Sequence, residues 1–118
     1  MKENNIILDK TFKFAVRIVK LHKYLKDEKK EYVLSKQVLR CGTSIGANVE
    51  EAIGGRTKKD FVNVLTIAYK EARETKYWLK LLSECEYLEK ILFTSIYNDC
   101  DEISKILSSI IISSKKGI

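Results

Sequence analysis

Residues 34–61 read LSKQVLRCGTSIGANVEEAIGGRTKKDF, and the helical repeat in this stretch decides the fold. At about 100° per residue, Leu34, Val38, Cys41, Ile45, Val49 and Ala52 form one apolar stripe. Gln37, Arg40, Ser44, Asn48 and Glu51 form a polar stripe roughly 60–90° round from it. A polar row flush against an apolar row is expected where a helix packs on two neighbours at once, or where one edge of its buried face looks onto a site. Gly42 and Gly46 lie towards the opposite side, where each costs about 1 kcal/mol relative to Ala in a helix interior. A close backbone approach by another helix, or by another subunit, would offset that cost. Gly54-Gly55 then stops the helix in the manner of a C-cap. Thr57 with Asp60 three residues later reads as an N-cap and a weaker version of the capping box. Two helices therefore meet at a tight turn, the first running from about residue 33 to 53.

Working outward, the segment before this stretch carries Phe14, Ile18, Leu21 and Leu25 at spacings of four and three, with Phe12, Ala15, Val16 and Val19 widening the face. This predicts a core-facing helix over about 10–28, capped by Asp9 or Thr11, with residues 1–8 as a short arm. The charged loop Lys29-Lys30-Glu31 ends it. After the turn, Phe61, Leu65, Ala68, Ala72, Thr75, Leu79 and Leu82 keep a heptad through a helix of about 58–83. Ile67, Trp78 and Leu81 add a second flank, as expected of a helix between neighbours. A fourth helix over about 88–113 turns Leu92, Ile96, Cys100, Ile103, Leu107 and Ile110 inward. Lys115-Lys116 suit its C-terminal dipole. Four helices and short turns predict an all-α, antiparallel up-down-up-down four-helix bundle in a single domain over 1–118.

Composition points the same way. The 118 residues contain no proline and five glycines, with 45% hydrophobic and 32% charged residues, as long uninterrupted helices require. A chain this size holds one core and gains by burying apolar surface against copies of itself. The only apolar run near the start is Ile6-Ile7-Leu8, far short of a signal peptide or of the roughly 20 residues of a membrane span. A cytoplasmic protein with no membrane partner is expected. Cys41, Cys85 and Cys100 form no Cys-x-x-Cys pair and His22 is the only imidazole, which indicates neither a disulfide framework nor a metal or cofactor site.

The runs QVLRCGTSIGANVEEA and TKKDFVNVLTIAYKEARETKYWLKLL resemble the four-helix-bundle family of 23S rRNA intervening-sequence proteins, which in turn resembles the accessory protein of diversity-generating retroelements. The resemblance covers about Phe12 to Ile112. It rests on Gln37, Arg40, Ser44, Ile45, Ala47, Asn48 and Glu51 together with Phe61, Ala68, Glu71 and Glu74 at unchanged spacing. The chain departs from the commoner form in Cys41, where Ser is usual, and in its Glu-Ala-Ile-Gly-Gly turn. The resemblance implies a ring-shaped homo-oligomer, a pentamer, with no established catalysis. For the retroelement branch it implies binding of nucleic acid and of a reverse transcriptase.

The charge pattern offers a separate line. Lys10, Lys13, Arg17 and Lys20 share one stripe of the first helix, Lys10 to Lys26 contains no acid, and the net charge is +6. Such a stripe suits the phosphates of RNA or DNA. The competing reading is complementary packing, because residues 84–102 carry six acids against Lys90, and ion pairs between the first and fourth helices would remove the polyanion reading. The polar stripe Gln37, Arg40, Ser44, Asn48 and Glu51 reads as a satisfied structural network, with Arg40 pairing Glu51 or Glu74. Ser44 has no adjacent base and the Glu-x-x-His pairs of di-iron bundles are missing, so no enzyme is expected. The sequence thus predicts a non-enzymatic bundle with a basic surface for nucleic acid, or alternatively a protein-binding scaffold or accessory subunit.

Overall fold

The computed structural model describes residues 2–116, with side chains from Asn4 onward. It consists of α1 (Lys2–Asp27), α2 (Leu34–Ile53), α3 (Lys58–Glu84) and α4 (Lys90–Lys115). Helices of 20 to 27 residues are about 30–40 Å long, so a molecule of 47 × 20 × 19 Å holds them side by side. The short connections make successive helices antiparallel. Each helix backbone runs close to those of its two neighbours round the bundle and not to that of its diagonal partner; α2–α3 is the closest seam and α1–α4 the loosest.

The core follows the apolar repeats. Val38, Cys41, Ile45, Val49 and Ala52 of α2 are fully buried, as are Leu65, Ala68, Ala72, Thr75, Leu79 and Leu82 of α3. From α4 come Ile96, Cys100, Ile103 and Leu107, while Leu92 and Ile110 at its two ends are half-buried. Thr75 holds a core position because its hydroxyl donates to the Glu71 carbonyl at 2.8 Å, which satisfies the one polar atom.

In α1 the structure departs from the sequence reading twice. The helix starts eight residues earlier than about residue 10, and the expected arm over residues 1–8 is helical from Lys2. Ile7 is buried one heptad before Phe14, so the core stripe extends back through it. Thr11 is buried mid-helix and donates its hydroxyl to the Ile7 carbonyl at 2.7 Å instead of capping. The second departure concerns Phe12, Val16 and Val19, which do not widen the core face. They are 70%, 40% and 38% exposed. Val16 falls about 160° round from Ile18 on the wheel, which turns it directly away from the bundle.

The ends use capping chemistry the sequence reading partly found. Thr57 Oγ1 accepts from the Asp60 amide at 3.0 Å, as the N-cap of α3. Gly54 and Gly55 return their amides to the carbonyls of Glu50 and Ala52, but neither has positive φ. The left-handed positions are Lys30 (φ 54) and Glu86 (φ 66), in the other two connections. Glu31, read as part of a charged loop, is a buried cap. Its carboxylate accepts from the amides of Ser35 at 2.7 Å and Val33 at 3.3 Å, and Ser35 Oγ donates back to its carbonyl at 2.9 Å. This anchors the positive end of α2.

Gly42 and Gly46 mark where α1 lies on α2. A Cβ at Gly42 would stand 2.8–3.0 Å from three side-chain carbons of fully buried Ile18, and one at Gly46 would stand 3.3 Å from the Thr11 carbonyl oxygen. Of the two sequence-based alternatives, another helix or another subunit, a helix of the same chain is the one in contact. Gly42→Ala gains about 1 kcal/mol of helix propensity and forces the branched Ile18 side chain off its seat, which costs about 1–3 kcal/mol. Urea denaturation should show a net loss of between about 0 and 2 kcal/mol; a gain of about 1 kcal/mol, as for an unobstructed Gly→Ala in a helix interior, would mean that α1 does not sit so close to α2.

Candidate functional site: the α2–α3 edge and the outer faces of α1 and α3

The polar stripe of α2 lines the outer lip of the α2–α3 seam. Arg40 is its centre: Nη1 donates to Glu71 Oε2 at 3.4 Å, Nη2 donates to Glu74 Oε2, and Gln37 Oε1 accepts from Nε and Nη2 at 3.4 Å. Trp78 Nε1 donates to the same Glu74 oxygen at 2.9 Å. Arg40 thus pairs with Glu74 and Glu71 and not with Glu51, which points into solvent. Ser44 Oγ donates to the Cys41 carbonyl at 3.0 Å, and Asn48 Nδ2 to the Ser44 carbonyl at 2.8 Å. Both are satisfied by their own helix rather than across the bundle. The row ties α2 to α3 through one guanidinium and two carboxylates, all partly exposed, and among the described residues no buried side-chain polar atom is left without a partner.

Two arrangements that could be built on the α2 stripe are not assembled among the described residues. His22 Nδ1 lies 3.2 Å from the Ser35 carbonyl, at the first turn of α2. Ser44 is nine residues further, about 13 Å along the helix, so the two form no nucleophile–base pair. Glu51, Glu71 and Glu74 do not converge either, and no group of three or more His, Cys, Asp or Glu among the described residues could hold a metal ion.

The basic stripe of α1 is divided by the structure. Lys10 Nζ pairs with Glu102 Oε1 at 2.6 Å, and Arg17 donates to Asp99 Oδ2 at 2.6 Å and to Ser95 Oγ at 3.1 Å. Both cross to α4. Lys13 pairs with Asp9 at 2.9 Å within α1, and among the described residues Lys20 forms no ion pair. Of the four cations read as suiting phosphates, Lys10 and Arg17 are thus engaged across the loosest seam. They bridge a groove of about 220 Å³ floored by Phe14 and Ile103. The bond from Glu102 raises the pKa of Lys10. On the α3–α4 side, bonds from Lys105 and Lys76 lower that of Asp101. The Asp101 contribution is present above the ordinary carboxylate range and is lost as pH falls through its lowered pKa.

The three thiols are free. Burial pushes Cys41 up to about 11 and Cys100 up to about 12, so both stay protonated at neutral pH and behave as small core residues. Cys85 is exposed in the α3–α4 connection. A thiol-reactive reagent at pH 8 should titrate one group in the native protein and three after denaturation. Rapid modification of more than one in the native state would show that the core opens.

What sequence reasoning missed is apolar and outward. Phe12, Val16 and Val19 form a ridge on α1, and Ile67 and Tyr77 are exposed on α3, Tyr77 stacked edge-on against Trp78 with ring centroids 5.1 Å apart. The signal lay in the wheel positions of 12, 16 and 19, which are too far from those of 14, 18, 21 and 25 to share one buried face.

The chain is thus an all-α four-helix bundle with an ion-paired α1–α4 seam and a polar α2–α3 lip. The sequence matches the description "23S rRNA-intervening sequence protein" over residues 3–109, and the chain belongs to that family. It is similar to the crystal structure, at 1.70 Å, of a protein with unknown function from the S23 ribosomal protein family of Bacteroides thetaiotaomicron VPI-5482. The two are 54% identical with a TM-score of 0.91, over 92% of this chain and 97% of that one. No curated protein matches the sequence. No helix among the described residues is long and apolar enough to cross a membrane.

Proposed function

We propose that this chain is a non-catalytic assembly unit, a bundle that associates with copies of itself and presents the assembled surface to a protein partner. The observation that carries this reading is the outward ridge of α1. Phe12 is 70% exposed in line with Val16 and Val19, and an aligned ridge of large apolar side chains held in water marks an interaction surface, whereas scattered apolar residues do not. The family resemblance adds the form of the assembly, a ring of five copies. The polyanion reading loses its main support because Lys10 and Arg17 are engaged by α4, which leaves the protein-scaffold alternative as the better reading.

Light scattering or sedimentation should give a mass several times that of one chain. Phe12→Glu, on the solvent face, should leave the helical circular dichroism intact and weaken association by roughly tenfold or more, as expected when a central aromatic anchor is lost. A wild-type chain that stays monomeric at every concentration reached would end this reading.

A further inference from the structure

We infer that the groove at one end of the bundle, between the first turn of α3 and the last turns of α4, binds a small sugar phosphate. The inference is independent of self-association and uses neither the α1 ridge nor the exposed residues of α3.

The groove follows from side-chain size. Ser113 and Ser114 stand one heptad beyond Ile106 and Leu107, so the rows that pack α4 into the bundle end in two hydroxymethyl groups where the preceding turns carry branched carbon. Ser109 lies one turn before Ser113 on the same side of α4. Opposite these serines, Arg56, Thr57 and Lys58 begin α3, and Asn4 of α1 closes a third side. The space between the walls is about 600 Å³, floored by half-buried Phe61 and Ile110. Small-molecule sites typically enclose about 300–1,000 Å³, with apolar surface and a few convergent polar groups.

The two walls differ in chemistry. On the α3 wall, Arg56 and Lys58 are two residues apart, and neither is in an ion pair among the described residues. No carboxylate lines the groove, and Asp60 stays outside it. Two unmatched cations suit a doubly charged anion. A guanidinium offers a fork to two phosphate oxygens and an ammonium a point charge to the third. A carboxylate, with one charge and two oxygens, would leave one cation unmatched.

The α4 wall is hydroxylic. Thr43, Ser44 and Thr66 return their hydroxyls to carbonyls of their own helices, whereas among the described residues those of Ser109, Ser113 and Ser114 have no hydrogen-bond partner. A hydroxyl both donates and accepts, as the hydroxyls of a sugar do, and the Asn4 amide adds a group of each kind. Phe61 and Ile110 offer carbon to the C–H face of a ring lying between the walls. Phosphate on one side, hydroxyls on the other and carbon beneath are the three parts of a sugar phosphate.

Isothermal titration calorimetry at low ionic strength tests this with ribose 5-phosphate as the probe, and with inorganic phosphate and ribose as its separate halves. Ribose 5-phosphate should give a saturable heat, and each half should bind roughly tenfold more weakly or worse, because each forfeits one wall. Arg56→Gln should weaken binding roughly tenfold and Ser113→Ala roughly three- to tenfold, each with a native circular dichroism spectrum. Lys20→Gln, which removes an exposed cation of α1, should leave the affinity unchanged. No saturation at millimolar ribose 5-phosphate overturns the inference. Equal affinity for inorganic phosphate overturns it too, as an adventitious ion only, and so does a loss in Lys20→Gln as large as that in Arg56→Gln, which would mean attraction by net charge alone. Displacement of the probe by a short single-stranded RNA without a terminal phosphate, at lower concentration than by unlabelled ribose 5-phosphate, would assign the cations to a polynucleotide backbone and overturn it as well.

Discussion

The contact between Ile18 and Gly42 sets the geometry on which the rest of the bundle depends. Only a residue without a side chain lets the branched carbons of Ile18 come so close to the α2 backbone, and Gly46 repeats the approach one turn later against Thr11. With α1 seated on α2 in this way, its far side cannot lie equally close to α4. The α1–α4 seam is accordingly the loosest, and long side chains span it: Lys10 to Glu102 and Arg17 to Asp99. The same seating turns Phe12, Val16 and Val19 outward. One steric choice in α2 thus decides which cations are engaged and which apolar residues stay wet.

Much of this was legible in the sequence because a helix writes its burial at fixed intervals. The apolar stripe of α2 and the heptad of α3 became core, and the glycine pair marks a close helix approach, one of the two alternatives it allowed. What was not legible has physical reasons as well. Thr11 resembles a cap until its hydroxyl is seen bonding the preceding turn of its own helix, a bond that lets a polar residue sit inside a core. Glu31 is not among the favoured N-cap residues, and its capping role depends on a left-handed turn at Lys30 that no glycine announces. The outer ridge of α1 was absorbed into a face drawn too wide. The charge segregation was visible, but whether it served packing or an external polyanion depended on which helices became neighbours.

The polar row on α2 that carries the family resemblance also takes a definite form. Arg40 links Gln37 on its own helix to Glu71 and Glu74 on α3, and Glu74 in turn holds the indole of Trp78. Ser44 and Asn48 bond only to their own helix, and Glu51 stands apart in solvent. The row thus marks the edge where α2 and α3 are keyed together.

The ion-paired character of the α1–α4 seam has a consequence for how the molecule responds to its medium. Mobile ions weaken exposed pairs such as Arg17–Asp99 as the screening length shrinks from about 8 Å at physiological strength to about 3 Å at 1 M, while salting-out anions strengthen the burial of carbon against carbon. A concentrated electrolyte therefore acts on the four seams unequally: pairs such as Arg40–Glu74 and Lys76–Asp101 weaken too, but their seams are held by closer helix packing, and the one between the first and last helices slackens most. The molecule loosens like a book along its spine, with the pages still bound to each other.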